Sequence, residues 1–391
     1  MPQAQVEPVR SGRILSLDAQ RGLIMVLMAI DHAAFFVAKH HPSEFWGLPL
    51  PQHPDWLSFL TRHVTHLCAP GFFLLMGAGV VLFADSRRER GWSEARIARH
   101  FVVRGVVLLL VQQVIENPAW IIGSLVPSPD AWYFAPNMAG EPGPLILVFA
   151  VLTALGVSLI AVGLLQRFPG WFLGLAGVAL IVLSQAVVPP PEMVRVPFSP
   201  ALRLTFIPGQ TGILLVMYPF VPWLGAALVG AAIGKALSAD RRKALRWVPV
   251  GGLALVALFL VLRFTGGFGN THPWDGSGAM DFLNMTKYPP SIVFLAFAIG
   301  SNLLLIGMFE RMTPLIERYG GWLLTFGRTA LFFYILHIWL YLLLGLPFRD
   351  GTGFGVMYMI WAIGLLLLLP LCRRYERFKS GKPPESVWRL F

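Results

Sequence analysis

The sequence predicts an all-α polytopic membrane protein, a bundle of about ten transmembrane helices with both termini cytoplasmic. Three observations predict it. Apolar runs of about 20 residues recur along the whole chain, the length needed to cross a hydrocarbon core of about 30 Å. Of the 391 residues, 56% are hydrophobic and only 13% charged, with a mean hydropathy of +0.65, whereas soluble domains carry about a quarter charged residues. The basic residues also gather in alternate loops.

The spans are predicted at about 15–38, 56–83, 101–123, 144–164, 171–189, 213–236, 247–263, 290–309, 322–347 and 354–372. With the N-terminus inside, the inside segments hold Arg10 and Arg13; Arg87, Arg88, Arg90, Arg96 and Arg99; Arg167; Arg241, Arg242, Lys243 and Arg246; Arg311 and Arg318; and six residues between Arg373 and Arg389. That is 20 of the 31 Lys and Arg, against five in the outside loops. Every inside loop is basic, so the positive-inside rule favours an even number of spans. The same bias accounts for the net charge of +11 without nucleic acid. No cleavable signal peptide is expected, because the first apolar run is too long and too interrupted for one. Cys68 and Cys372 fall at different depths and make no disulfide framework.

The outside segments 39–55, 124–143, 190–212 and 264–289 are rich in Pro, Gly, Trp and His and read as turns. Residues 85–100 are charged and predict a short amphipathic helix on the cytoplasmic surface, with Arg96 and Arg99 near lipid headgroups or an anionic ligand. No repeat of fixed period appears. The chain reads as one domain over residues 1–391, with a cytoplasmic segment 1–13, a transmembrane bundle 14–372 and a basic cytoplasmic tail 373–391.

Ionisable groups inside spans are costly and face a cavity or a partner, so each is a candidate site residue. The first span holds Asp18, Arg21, Asp31 and His32. On a regular helix Arg21 and His32 lie about 20° apart around the axis and about 16 Å apart along it, with Asp18 on the same side. Asp18 and Arg21 at i, i+3 are placed to pair near the cytoplasm. The second span opens Arg62-His63-Val64-Thr65-His66-Leu67-Cys68, again towards the outside. Six of nine histidines (His32, His40, His41, His53, His63, His66) lie in the first two spans or the loop between them. Their near-neutral pKa suits general acid–base work. A metal cluster and a bis-histidine haem are weaker readings of the same residues, and no metal is expected. Cys68 reads as a small buried residue beside Pro70 rather than an acyl-carrying nucleophile. Glu116, at the outer end of the third span, is a candidate orienter for a histidine. In the ninth span Arg328 and His337 stand about 180° apart on the wheel, so both face one pore only if the helix is irregular. His337 and Tyr334 have the depth to join the outer set. Lys287 is expected at the outer opening, ahead of two prolines that fix where the eighth span starts.

Four of these segments carry a resemblance. Leu17-Asp18-Ala19-Gln20-Arg21-Gly22 with Asp31-His32, then Thr65-His66-Leu67-Cys68-Ala69-Pro70, then Lys287-Tyr288-Pro289-Pro290-Ser291, then Phe326-Gly327-Arg328-Thr329 through Tyr334 and His337, resemble the bacterial branch of the heparan-α-glucosaminide N-acetyltransferase catalytic-domain family. The ten-residue gap between Arg21 and His32 is also similar to the Arg–His signature of the wider transmembrane acyltransferase superfamily. The resemblance implies a multi-pass protein of the bacterial inner membrane that moves an acetyl or other acyl group from cytoplasmic acetyl-CoA to a sugar amine or hydroxyl outside.

By that analogy Arg21 lies on the donor path, with Asp18, Arg96, Arg99 and Arg328, and His32 is the base, oriented by Asp31 or Glu116. His66 is a second acid or base. Lys287, His337 and Tyr334 meet the acceptor. The sequence departs from the lysosomal members, which lack the Asp-His pair and use a histidine in the first luminal loop ahead of a tryptophan. Here that position falls to His40 or His41, ahead of Trp46. The catalytic histidine is therefore expected in the order His32, His66, then His40 or His41. The expected partners are the bilayer and a glycan or lipid-linked sugar acceptor, with a homodimer as the assembly to test and no nucleic acid. A proton-coupled secondary transporter is the alternative; the paired broken helices and repeats of such folds are not evident in the sequence.

Overall fold

In a computed structural model of the chain, the described residues are 13–124, 138–141, 147–383 and 386–389. Each predicted span contains a helix. Among the described residues seven helices are long and apolar enough to cross a membrane: α1 (Leu15–Ala38), α2 (Trp56–Arg88), α3 (Glu94–Ser124), α6 (Phe220–Ala239), α7 (Arg241–Thr265), α8 (Ile292–Arg311) and α11 (Phe354–Ser380). Two are shorter, α4 (Val151–Leu165) and α5 (Gly170–Ala186). The predicted ninth span is not one rod. It is α9 (Gly321–Arg328) and α10 (Ala330–Gly345), bent by 93° at Thr329.

Other boundaries also move. The predicted surface helix over 85–100 does not exist as a unit: α2 runs to Arg88, and α3 starts at Glu94, where Ser93 accepts a capping bond from the Arg96 N–H. Residues 85–88 and 94–100 are thus the polar ends of two long helices. The basic tail is partly helical, since α11 continues to Ser380. Residues 213–219, placed in a span, instead include β3 (Leu214–Val216), which pairs parallel with β1 (Leu147–Phe149) and antiparallel with β2 (Gly209–Thr211). The outer loop at 124–143 and the start of the fourth span fall mostly outside the described residues.

Helix association in lipid lacks a strong hydrophobic drive and depends on close backbone packing. Reciprocal glycines supply it. A Cβ on Gly22 of α1 would fall 2.0 Å from the Leu323 carbonyl oxygen of α9, and one on Gly327 of α9 would fall 2.0 Å from that of Asp18. Gly105 and Gly156 join α3 to α4 in the same way, Gly177 and Gly225 join α5 to α6, and Gly252 and Gly300 join α7 to α8. Phe36, Phe73, Phe294, Phe326 and Phe333 fill the interior around α1. α7 and α11 expose Leu253, Val261, Phe264, Leu366 and Leu371, as lipid-facing helices do.

The bundle has two distinct ends. At the terminal end, Ser16 binds Glu310, and Arg88 binds Glu94 and Gln166. At the loop end, two buried arginines organise the connections. Arg263 donates to the carbonyls of His272, Asp281, Phe282 and Asn284 and to Asn270 Oδ1. Arg203 donates to the carbonyls of Val196 and Pro208. The loop after α1 is pinned to the segment before α8 by Trp46 N–H to Tyr288 O (2.8 Å) and by the Lys287 and Tyr288 N–H groups to Glu44 O.

Candidate active site

Helix α1 carries a polar cluster at each end. At the terminal end Asp18 faces three arginines: Arg21 Nη1 at 3.2 Å, Arg328 Nε at 3.4 Å and Arg13 Nε at 3.6 Å. Arg328 also binds Glu376 at 3.2 Å, and Lys379 donates to the Arg328 carbonyl. Arg104 of α3 lies within electrostatic reach of Arg21 and Lys379. Five cations meet two carboxylates here. The surplus of positive charge, aligned at one end of the bundle, suits a multiply charged anion such as a phosphate group. Arg328 sits here because of the break at Thr329, which frees it from the face of His337. Of the predicted donor residues, Asp18, Arg21 and Arg328 come together. Arg96 and Arg99 lie in the exposed first turns of α3, where Arg96 stacks on Trp92 at 4.3 Å. The α3 cation near the cluster is Arg104, at the next turns inward.

At the loop end α1, α2 and α3 each leave regular α-geometry. α1 closes in a π-helical turn over Ala34–Ala38, α2 tightens to a 3-10 turn over Val64–Leu67, and α3 widens to a π-turn over Gln112–Glu116. Such irregular turns re-aim side chains and concentrate at functional sites. Asp31 is the hub. Its Oδ1 accepts from Arg62 Nη1 (2.8 Å) and Thr65 Oγ1 (3.1 Å), and its Oδ2 takes His41 Nε2 at 3.1 Å. Asp31 therefore holds His41, not its chain neighbour His32. With Nε2–H given to the carboxylate, Nδ1 is the basic nitrogen of neutral His41. Burial pushes the His41 imidazole below its usual value, and the Asp31 carboxylate opposes that shift.

Arg62 continues the network to Glu44, with Nε and Nη2 each 2.8 Å from one carboxylate oxygen. Burial alone raises the Glu44 carboxyl; Arg62 and His66 overcome it and hold the group well below the usual carboxylate range. His66 Nε2 stands 3.4 Å from Glu44 Oε1, a contact too loose to count as a hydrogen bond and ionic only when the ring is protonated. Lys287, expected at the outer opening, lies at the loop end but is buried there: it is only 3% exposed, and its ammonium is felt by Asp31, His32, His41 and His66. His40 turns away towards His53 and Phe354.

His32 belongs to an adjoining group. Its Nδ1 lies 2.5 Å from His337 Nε2, and its ring packs edge-on to Trp120 and Tyr334. Glu116 Oε1 accepts from Tyr334 Oη (2.8 Å) and Trp120 Nε1 (3.0 Å). The expected Glu116–histidine bond is thus replaced by bonds to two neighbours of His32. Between the clusters Met25 and Met28 are buried at positions i+4 and i+7 from Arg21, on the stripe that ends at His32. Among the described residues no group of three or more His, Cys, Asp or Glu is arranged to hold a metal.

Sequence reasoning missed Glu44, Arg104, Glu376 and Lys379, and it saw Arg62 only as a neighbour of His66. Glu44 sits in a loop with no helical period to flag it. Its one available signal was a carboxylate three residues beyond a pair of histidines.

The chain matches the family described as heparan-alpha-glucosaminide N-acetyltransferase, catalytic, over residues 13–263. The match takes in both clusters' α1 and α2 residues and Glu116, while the Lys287 and Arg328–His337 segments lie beyond it. Among curated proteins it is similar to the heparan-alpha-glucosaminide N-acetyltransferase of Mus musculus, 26% identical over 166 residues, which is 42% of this chain and 21% of the mouse protein. The similarity therefore spans about a fifth of that relative's length. With the family match covering more than half of this multi-pass, mostly helical chain, the protein belongs to the heparan-alpha-glucosaminide N-acetyltransferase catalytic family.

Proposed function

We propose that the protein is a membrane acetyltransferase that takes an acetyl group from cytoplasmic acetyl-CoA and passes it to a sugar amine or hydroxyl on the outer side. The observation that carries this reading is the pairing of two chemistries on one helix: an arginine-rich cluster around Asp18 and a buried carboxylate–histidine pair, Asp31–His41. Asp18 and Asp31 are 13 residues apart, about 20 Å of helix. A long extended thioester carrier held at the arginines would present its acyl end near His41 after passing Met25 and Met28, whose flexible side chains adapt readily.

In this mechanism His41 Nδ1 takes the proton of the acceptor N–H or O–H. The acceptor atom attacks the thioester carbonyl, the C–S bond breaks, and the thiolate leaves to be protonated. Asp31 keeps His41 in the correct tautomer and stabilises its protonated form. The buried Lys287 ammonium suits the oxyanion of the tetrahedral adduct. His66 is the second acid or base. Ten crossings with both termini cytoplasmic agree with the distribution of Lys and Arg, and a bacterial inner membrane is the location we propose.

The test uses purified protein, labelled acetyl-CoA and an amino sugar. Acetylated sugar is the expected product. Absence of transfer, together with substrate counterflow in liposomes, would replace this reading with transport.

A further inference from the structure

Arg62 is 4% exposed and lies between carboxylates from two different segments. Its three nitrogens each meet one oxygen at 2.8 Å: Nη1 that of Asp31, Nε and Nη2 the two of Glu44. Each carboxylate presents its own histidine, His41 on Asp31 Oδ2 and His66 beside Glu44 Oε1. Glu44 has a further task, because its backbone carbonyl receives the N–H groups of Lys287 and Tyr288. A guanidinium gripping a carboxylate at two points is planar and directional, unlike a lysine contact. One rigid unit therefore joins α1, the following loop, α2 and the segment before α8.

The charges also balance. Two carboxylates and one guanidinium leave one negative charge, and the buried Lys287 ammonium offsets it while both histidines are neutral. We infer that Glu44 and Arg62 are positioning residues of the acyl transfer, whose two-point pair sets the spacing of His41 and His66 and how readily each takes a proton. The inference rests on the acetyltransferase reading above. It adds two residues that touch neither donor nor acceptor.

The groups facing the two rings are known. His41 meets Asp31 of α1, Arg62 of α2 and Lys287, with His32 nearby. His66 meets Glu44, Arg62 and Lys287, with His63 and His53 nearby. Removing one partner from this set changes the charge that both rings feel in a definite direction. Glu44→Gln leaves the guanidinium under-neutralised and makes the rings harder to protonate. Arg62→Met leaves carboxylate charge in excess and makes them easier to protonate.

The experiment measures two quantities on the full-length purified protein and these variants. One is the pH dependence of kcat/KM for acetyl transfer from labelled acetyl-CoA to glucosamine. The other is the pH dependence of His41 and His66 modification by diethyl pyrocarbonate, followed by peptide mass spectrometry. The acidic limb of both profiles should move down by at least about half a pH unit in Glu44→Gln and up by a similar amount in Arg62→Met. KM for acetyl-CoA should stay within about twofold, and kcat should fall by about ten- to a hundredfold, as for loss of a supporting partner.

Arg62→Lys keeps the charge but loses the fork, so its limb should stay in place while kcat falls more than about tenfold. Limbs that stay in place in Glu44→Gln and Arg62→Met, or that move in the same direction, overturn the inference, as does an Arg62→Lys variant with full kcat. If Arg62→Met does not fold, the other two variants decide. If the wild type transfers no acetyl group, the functional reading fails, while the modification profiles, which need no turnover, still judge the positioning.

Discussion

His32 Nδ1 and His337 Nε2 approach to 2.5 Å across α1 and α10, and this contact assigns a tautomer to each ring. His337 Nδ1 lies 3.1 Å from the Phe333 carbonyl, which only accepts, so that nitrogen carries the proton. Neutral His337 then accepts at Nε2 from His32 Nδ1–H, and the His32 lone pair is left on Nε2.

This pairing separates two candidate bases. His41 has a carboxylate to stabilise its charged form, whereas His32 has another imidazole. His41→Ala should lower kcat by about 10²–10⁴-fold, the usual range for a general base. His32→Gln and His337→Phe should cost about tenfold each. Steady-state rates on purified variants check this order; a His32→Gln enzyme as dead as His41→Ala would move the base to His32.

The contact between α1 and α9 leaves no room for a side chain. Gly327→Ala places its methyl against the Asp18 carbonyl, so α9 must shift and carry Arg328 away from Asp18. The expected outcome is a KM for acetyl-CoA raised at least about tenfold with the loop-end histidines undisturbed. Binding of labelled CoA to the variant measures it. Affinity equal to wild type would detach Arg328 from the donor site.

Arg263 is the knot of the loop before α8. Arg263→Met removes five donated bonds and leaves buried carbonyls unsatisfied, each worth about 1–3 kcal/mol. Limited proteolysis should open residues 266–284 in the variant at protease levels that spare the wild type, and the midpoint of thermal unfolding should fall. An unchanged digest would show that the loop is held by other contacts.

Acid should destabilise the loop end in two stages. His41, His53 and His272 are pushed below the ordinary imidazole value by burial. Each favours the folded state fully above its unfolded pKa of about 6.5 and loses that contribution as the pH falls towards its folded value. Glu44 is depressed as well, so its share persists above about pH 4.3 and disappears below. Thermal unfolding in detergent should therefore start to weaken between pH 7 and 5, with a further loss under pH 4. A midpoint flat from pH 7 to 5 contradicts the histidine contribution.

Much of this architecture was legible because it is local. The apolar runs announce the helices, and Asp18 with Arg21 announces its own pairing through a three-residue spacing. What was not legible depends on departures from the regular helix and on distant segments. A helical wheel sets Arg328 opposite His337, but the bend at Thr329 brings the two towards opposite ends of α1. Asp31 reads as the partner of His32, its neighbour in sequence. Its carboxylate instead meets His41, ten residues on and beyond the π-turn at Ala34–Ala38, and Arg62 of α2. Arg96 and Arg99 stand out as a charged run, whereas Arg104 is hidden within apolar residues yet faces the cluster.

The brevity of α4 and α5 has a consequence for the surrounding lipid. At 15 and 17 residues they measure about 22 and 26 Å, short of a hydrocarbon layer of about 30 Å. The backbone at the start of α4 is tied to α3, with the Leu152 N–H capped by Gln112 Oε1 and Val148 O accepting from Gln113 and Asn117. Irregular backbone at membrane depth persists only against protein or a water-filled recess. Helices this short favour a locally thinner bilayer on their flank of the bundle.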